Sequence, residues 1–112
     1  MKYFWTEAER KKNHTTCCFE FQKGKYSGKH WLEDSVCLYA DIFDEMNLHE
    51  LFSEAVPKFD YFGPNAVTKE QWQTLFKLAH ECGGAKEEVV LELKSWVEKC
   101  FEEYEVFTIC GI

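Results

Sequence analysis

The sequence predicts an α+β fold in which about four helices pack on a small sheet. Two β-prone segments lie near the N-terminus and a third lies at the C-terminus, while the residues between them repeat apolar side chains every three to four positions. A C-terminal strand needs a partner for its backbone hydrogen bonds, and the only other predicted strands are N-terminal. We therefore expect a sheet formed by an N-terminal hairpin and the C-terminal strand, with helices on one face.

The N-terminal hairpin is predicted from two neighbouring segments. In TTCCFEFQ successive side chains point to opposite faces and both phenylalanines share one face, which is typical of a half-buried strand. The aromatic segment KYFW precedes it and is predicted to pair with it in antiparallel fashion. The polar residues ERKKNH between them form the hairpin connection or one helical turn.

Four helices are predicted between the hairpin and the C-terminal strand. Residues 30–46 carry apolar side chains at spacings of four and three, and residues 47–55 form a short second helix. Thr68 and Gln71 have the spacing of a capping box at the start of a third helix, which a pair of glycines ends. The fourth and longest helix covers residues 86–104.

Length and composition favour a single globular domain over residues 1–112. The chain has 46% hydrophobic and 17% aromatic residues and only two prolines, which is unlike the composition of disordered proteins. A chain of this length can bury one hydrophobic core but is too short for two.

We expect a cytoplasmic protein with reduced cysteines. The N-terminal segment has no apolar stretch followed by small residues, as a secretory signal would. No charge-free stretch approaches the roughly 20 residues of a membrane helix. The six cysteines contain no C-x-x-C pair and no zinc-ribbon spacing, so we expect six free thiols.

Acidic residues are concentrated in one part of the chain. Residues 30–54 contain seven acidic residues and no Lys or Arg, whereas residues 1–29 contain seven Lys or Arg against three acidic residues. At about 100° per residue, five of the acids lie on the face of the first predicted helix that is opposite its apolar stripe. These are Glu33, Asp34, Asp41, Asp44 and Glu45.

Two interpretations of this acidic face are open. It is either an ordinary solvated surface or a surface that binds a partner. No Lys or Arg is interleaved to neutralise the acids, and like charges one helical turn apart cost stability. This repulsion favours a basic protein partner that relieves it, and it disfavours nucleic acid as a partner.

The segment KFDYFGPNAVTKEQW places three aromatic residues in front of the third predicted helix. We expect Trp72 in the core and most of the loop aromatics packed against it, because so aromatic a loop is costly to expose. Asp60 and Tyr61 are the candidates for partner contact. Tyrosine combines an apolar ring with a polar tip and is common at interface hot spots.

The chain contains no recognised catalytic or metal-binding motif. Glycine-rich phosphate loops, H-E-x-x-H and G-x-S-x-G are absent, and the four histidines do not cluster in the sequence. The closest candidates are His80 with Cys82 as metal ligands and Cys17 with Cys18 as a nucleophile pair, and neither has supporting neighbours. We therefore expect no catalytic residue, no metal and no cofactor.

The segments FDYFGPNAVTKEQW and FTICGI, the latter after a long helix, resemble small immunity proteins of bacterial polymorphic toxin systems. Contact-dependent growth inhibition is the nearest example, and the resemblance covers mainly residues 57–112. It implies a protein that binds one cognate toxin domain, usually a nuclease, and blocks it, with an acidic surface opposing a basic cleft. The alternative is a small enzyme or ligand-binding domain, which would require a deep pocket with convergent polar groups.

Overall fold

The computed structural model covers residues 1–112 and has an α+β fold with five strands and five helices. The strands form one antiparallel sheet in the order β1-β3-β2-β5-β4. In chain order the elements are β1 (Phe4–Thr6), α1 (Glu7–Lys12), β2 (Cys18–Lys23), β3 (Val36–Tyr39), α2 (Ala40–Glu45), α3 (Leu48–Ala55), β4 (Pro64–Thr68), α4 (Lys69–Cys82), α5 (Gly84–Glu103) and β5 (Val106–Cys110).

The C-terminal strand pairs with an N-terminal strand, which confirms the central prediction for the sheet. Strand β5 runs antiparallel to β2, with Phe21 opposite Ile109. Its other edge pairs with β4, where Val67 lies opposite Phe107. Strand β5 is therefore an interior strand and lies next to β2, the central strand of the sheet.

The predicted N-terminal hairpin is wrong. Strand β1 pairs with β3, which lies between β1 and β2 in the sheet. The connection after β1 is the helix α1, which begins with a capping box formed by Thr6 and Glu9. A helix rather than a tight turn carries the chain away from β1, so the next strand is free to pair elsewhere.

The predicted helix over residues 30–46 is also wrong over most of its length. Residues 36–39 are the strand β3, and only residues 40–45 are helical, as α2. The segment VCLY is a short run of β-prone and apolar residues in an interior strand, and such a run cannot be distinguished from a buried helix by its periodicity. Two of the apolar residues in the predicted helical stripe, Val36 and Tyr39, belong to this strand.

The other three predicted helices are present as α3, α4 and α5. Helix α4 has the predicted capping box, in which the Thr68 hydroxyl accepts from Gln71 N and the Gln71 side chain accepts from Thr68 N. Strand β4 was not predicted. Its residues alternate between exposed and buried in PNAVT, but proline and asparagine are rare in strands, and this one is tolerated because it lies at an edge.

One hydrophobic core of 23 buried residues lies between the inner face of the sheet and the helices. Phe21 lies near its centre and packs against Phe4, Phe52 and Phe107. Trp72 is buried as predicted. No helix combines the length and apolar character that crossing a membrane requires, and all six cysteines are free thiols.

The outer face of β2 is buried as well, so the prediction of a half-buried strand is wrong. Glu20 and Gln22 point away from the hydrophobic core and are both buried. Arg10, on α1, makes two bonds to the Glu7 carboxylate at 2.5 and 2.9 Å, and its guanidinium lies 4.0 Å from the centroid of the Trp31 ring. The sheet therefore has an apolar inner layer and a polar outer layer.

We expect Glu92→Ala to destabilise the fold by about 1 to 3 kcal/mol, because it removes the acceptor of several amides at once. The Glu92 carboxylate accepts from the backbone nitrogens of Lys2, Tyr3 and Phe4 at 2.8 to 3.0 Å and so holds β1 on α5. Urea unfolding measures the loss. Glu98→Ala on the same helix is the control and should change stability by less than about 0.5 kcal/mol, since it breaks only an exposed ion pair with Lys94. Equal effects of the two variants would contradict the role of Glu92.

Candidate functional site

Helix α2 presents three carboxylates to solvent. Asp41 and Asp44 are three residues apart and Glu45 follows one turn after Asp41, so they share one side of the helix. The other side carries Phe43, which is buried and stacks on Phe19 with ring centroids 4.0 Å apart. The ion pairs of the structure all involve other carboxylates. These three negative charges therefore form no ion pair within the protein.

This arrangement lowers the stability of α2. Like charges one helical turn apart cost about 0.2 to 0.5 kcal/mol per pair. Asp44 and Glu45 also lie in the last turn of the helix, which contains no basic residue and where the helix dipole disfavours negative charge. The helix is retained because its buried side, centred on Phe43, packs into the core.

The loop that follows α3 is partly buried and partly exposed. Phe59 is buried and packs against Phe52 and Phe43. Phe62, at the tip of the loop, is 73% exposed. The aromatic residues of this loop therefore have two roles, since the first anchors the loop in the core and the last faces solvent.

Tyr61 connects the loop to α2. Its ring packs edge-on against Phe19, with centroids 5.0 Å apart, and its hydroxyl donates to the Asp44 carboxylate at 3.0 and 3.2 Å. Burial and this hydrogen bond raise the pKa of the Tyr61 hydroxyl, so it stays protonated as a donor at neutral pH. We define the acidic–aromatic surface as Asp41, Asp44, Glu45, Asp60, Tyr61 and Phe62.

Asn65 fixes the conformation of the loop from its position on β4. Its side-chain oxygen accepts from Asp60 N at 2.7 Å, and its side-chain nitrogen donates to the carbonyl oxygens of Asp60, Gly63 and Ile109. Asp60 in turn accepts from Phe62 N at 2.9 Å. A single buried amide thus orders the backbone that carries the exposed part of the surface.

The C-terminal residues hold the loop from the other side. Gly111 N donates to Gly63 O at 3.0 Å, and Ile112 N donates to Tyr61 O at 3.1 Å. A Cβ atom on residue 111 would lie 1.9 Å from Tyr61 O. Only glycine permits this close approach of the two backbones.

We expect Gly111→Ala to displace the loop from the C-terminal segment, because backbone atoms cannot yield to a contact this short. Faster hydrogen exchange at the amides of residues 111 and 112 is the expected result, together with a loss of about 1 to 3 kcal/mol of stability. Ile112→Ala is the control, since it keeps both backbone hydrogen bonds. Unchanged exchange in Gly111→Ala would show that this contact does not hold the loop.

The structure does not bring Glu33 and Asp34 to this surface. They precede β3, whereas α2 follows it, so four strand residues at about 3.3 Å each separate the two groups. The carbonyl oxygen of Asp34 accepts from Trp96 Nε1 at 2.9 Å, on the side of α5. The prediction of one acidic helical face with five members is therefore wrong, because the segment between them is extended rather than helical.

Three residues that matter for the surface were not singled out in the sequence. Phe62 is its exposed apolar member, while Asn65 and Gly111 fix the loop. The residues Gly-Pro after Phe62 indicate a turn, but Asn65 reaches the loop from β4 and Gly111 from the position directly after β5. These contacts follow from strand pairing and could not be read from local sequence.

The surface combines carboxylates that form no ion pair with an exposed aromatic ring on an ordered loop. Such a surface can attract a positively charged partner and contact it through the aromatic ring. No family model matches the chain, and neither a curated protein nor a solved structure is significantly similar to it.

Proposed function

We propose that this protein is an immunity protein that binds a cognate basic toxin domain, a nuclease, and occludes its active site through the acidic–aromatic surface. The observation that carries the proposal is the meeting of two independent features on one surface. The unpaired carboxylates of α2 lie next to the loop that exposes Phe62, and the hydrogen bond between Tyr61 and Asp44 joins them.

Charge supports a basic partner. Its three α2 carboxylates belong to residues 30–54, which carry seven acidic residues and no Lys or Arg. A nuclease binds phosphate groups with Lys and Arg, so its cleft is basic. Carboxylates at the positions of the phosphates would pair with these cations, relieve the repulsion within α2 and speed the encounter.

The loop supports a specific complex rather than a diffuse one. Phe62 offers a large apolar ring, and the ring of Tyr61 supports it with centroids 5.0 Å apart. Exposed aromatic residues surrounded by polar groups are typical interface anchors. Because Asn65 and the C-terminal segment already order the loop, little conformational entropy is lost on binding.

Cavity shape gives less support to a small enzyme or ligand-binding domain. The groove lined by Thr68, Lys69 and Tyr104 has a volume of about 470 Å³ but is open to solvent. The groove between α3 and α4 is smaller, at about 210 Å³, and is lined largely by charged side chains such as Glu50 and Glu81. Small-molecule sites are usually enclosed and mostly apolar.

The test is binding to the toxin domain encoded next to this protein's gene. We expect a stoichiometric complex that suppresses nuclease activity. Its association rate should fall as salt is added, because the electrostatic attraction between the two proteins is screened within about 10 Å at 0.1 M salt. Stopped-flow kinetics at several salt concentrations and a nuclease assay measure the two effects. A toxin domain that retains its activity in the presence of excess protein would refute the proposal.

A further inference from the structure

Three potential metal ligands meet on the outer face of the sheet. Glu20 on β2 lies opposite Cys110 on β5, and His30 reaches them from the segment that covers β2. The carboxylate oxygen, the imidazole nitrogen and the thiol sulfur all lie within 4.8 Å of one another. We propose that Glu20, His30 and Cys110 form a binding site for a divalent transition metal ion, with Zn²⁺ as the best match.

The ligand types fit Zn²⁺, and so does the separation of the nitrogen and oxygen ligands. Zinc binds oxygen, nitrogen and sulfur at about 2.0 to 2.3 Å in tetrahedral geometry, which places neighbouring ligand atoms about 3.3 to 3.8 Å apart. His30 Nδ1 and Glu20 Oε1 are 3.6 Å apart. Three protein ligands leave a fourth position for water. The sulfur and nitrogen ligands also exclude Mg²⁺ and Ca²⁺, which prefer oxygen alone.

Hydrogen bonds orient two of the three ligands. Ser35 Oγ and Leu32 N bond to Glu20 Oε2 at 2.6 and 2.9 Å, while Oε1 accepts only from Gln22 Nε2. Oε1 therefore keeps a lone pair for an ion. The other ring nitrogen of His30, Nε2, lies 3.0 Å from the Tyr26 hydroxyl. A partner on the second nitrogen is the usual arrangement for a metal-binding histidine, and it leaves Nδ1 to the metal.

A buried acceptor in the same layer also lacks a donor. Gln22 is fully buried, and its side-chain nitrogen is used by Glu20 Oε1 and Lys29 O. These two acceptors fix the amide orientation, and its oxygen has no hydrogen-bond partner. This unpartnered acceptor belongs to the side chain that donates to Glu20 Oε1, the ligand oxygen of the proposed site.

The buried Glu20 carboxylate forms no ion pair with Lys or Arg, so a metal cation would balance its negative charge. Glu20 is only 1% exposed and faces no Lys or Arg; its one ion-pair partner is His30. On metal binding the Cys110 thiol loses its proton to solvent and coordinates as thiolate. The bonds to Glu20 Oε2 anchor the covering segment, whereas Oε1 faces His30 Nδ1 at 3.6 Å.

The test is a titration of the reduced protein with Co²⁺, which replaces Zn²⁺ and gives a thiolate-to-cobalt charge-transfer band. A non-thiol reductant keeps the cysteines free. We expect one equivalent to bind with this band, and Cys110→Ser to remove it. His30→Gln should weaken Co²⁺ binding by more than roughly tenfold, since loss of a residue that only hydrogen-bonds to a metal ligand already lowers metal affinity about tenfold.

The controls address surface binding and misfolding. Cys17→Ser and His14→Gln change exposed residues outside the cluster and should leave the titration unchanged. The His30 side chain is 49% exposed, so His30→Gln should fold normally even if Cys110→Ser does not. Absence of the band, or a band that both His30→Gln and Cys110→Ser leave unchanged, would overturn the site. The titration needs no partner protein, so its result is independent of the proposed inhibitor function.

Discussion

Replacing Asp41 and Glu45 with lysine is expected to weaken the complex with the toxin domain by about 2 to 5 kcal/mol if these carboxylates are desolvated against cations. Reversal turns two attractive contacts into repulsive ones and should slow association by roughly tenfold or more. Both residues are exposed and form no ion pair within the protein. The fold should therefore be unaffected, which circular dichroism and thermal unfolding can verify.

The choice of residues separates the effect of charge on binding from the effect of the hydrogen bond that holds the loop. Asp44 accepts that hydrogen bond from Tyr61. Reversal of Asp41 and Glu45 therefore tests the electrostatic attraction while the bond stays in place. Reversal of Asp41 with Asp44 removes the bond as well and should weaken binding at least as strongly. The difference between the two double variants reports how much the tethered Tyr61 adds.

A matched control is available at the other end of β3. Reversal of Glu33 and Asp34 changes the net charge by the same amount, but these residues lie away from the acidic–aromatic surface. We expect only a small loss of affinity and of association rate from this control. If both double reversals on α2 behave like the control, the acidic side of α2 is an ordinary solvated surface and the proposed interface is wrong.

Deleting residues 106–112 is expected to unfold the protein. The deletion removes β5, an interior strand that pairs with both β2 and β4, and the buried side chains of Phe107 and Ile109. Loss of these side chains, at about 2 to 5 kcal/mol each, together with the backbone pairing on both edges of β5, is comparable to the roughly 5 to 15 kcal/mol that stabilises a typical domain. Circular dichroism and a thermal scan should show no cooperative transition.

Removal of Ile112 alone is the control for this deletion. Ile112 is 44% exposed and contributes one backbone hydrogen bond to the loop, so the protein should still unfold cooperatively. A longer truncation that keeps the original melting temperature would contradict the role of β5. It would mean that β2 and β4 form a stable sheet without the strand between them.

Local sequence signals were sufficient to predict the elements whose ends are marked by nearby residues. Helix α4 begins at a capping box and ends at glycine, and both signals act within a few residues. The terminal strand was predictable because VFTIC is β-prone and the only other predicted strands, which were N-terminal, were available to pair with it. Asp41, Asp44 and Glu45 were likewise found from their spacing within a turn of helix.

The sequence alone thus determined the fold class, the three C-terminal helices, the pairing of the C-terminal strand with β2 and the concentration of acid in residues 30–54. These properties follow from local propensity and composition. Tertiary structure alone decided that residues 36–39 form a strand, because an interior strand gains its stability from pairing on both edges. The strand β3 separated Glu33 and Asp34 from the acidic–aromatic surface, and the pairing of β2 with β5 placed Cys110 beside Glu20. Contacts between distant segments depend on sheet register and not on sequence spacing.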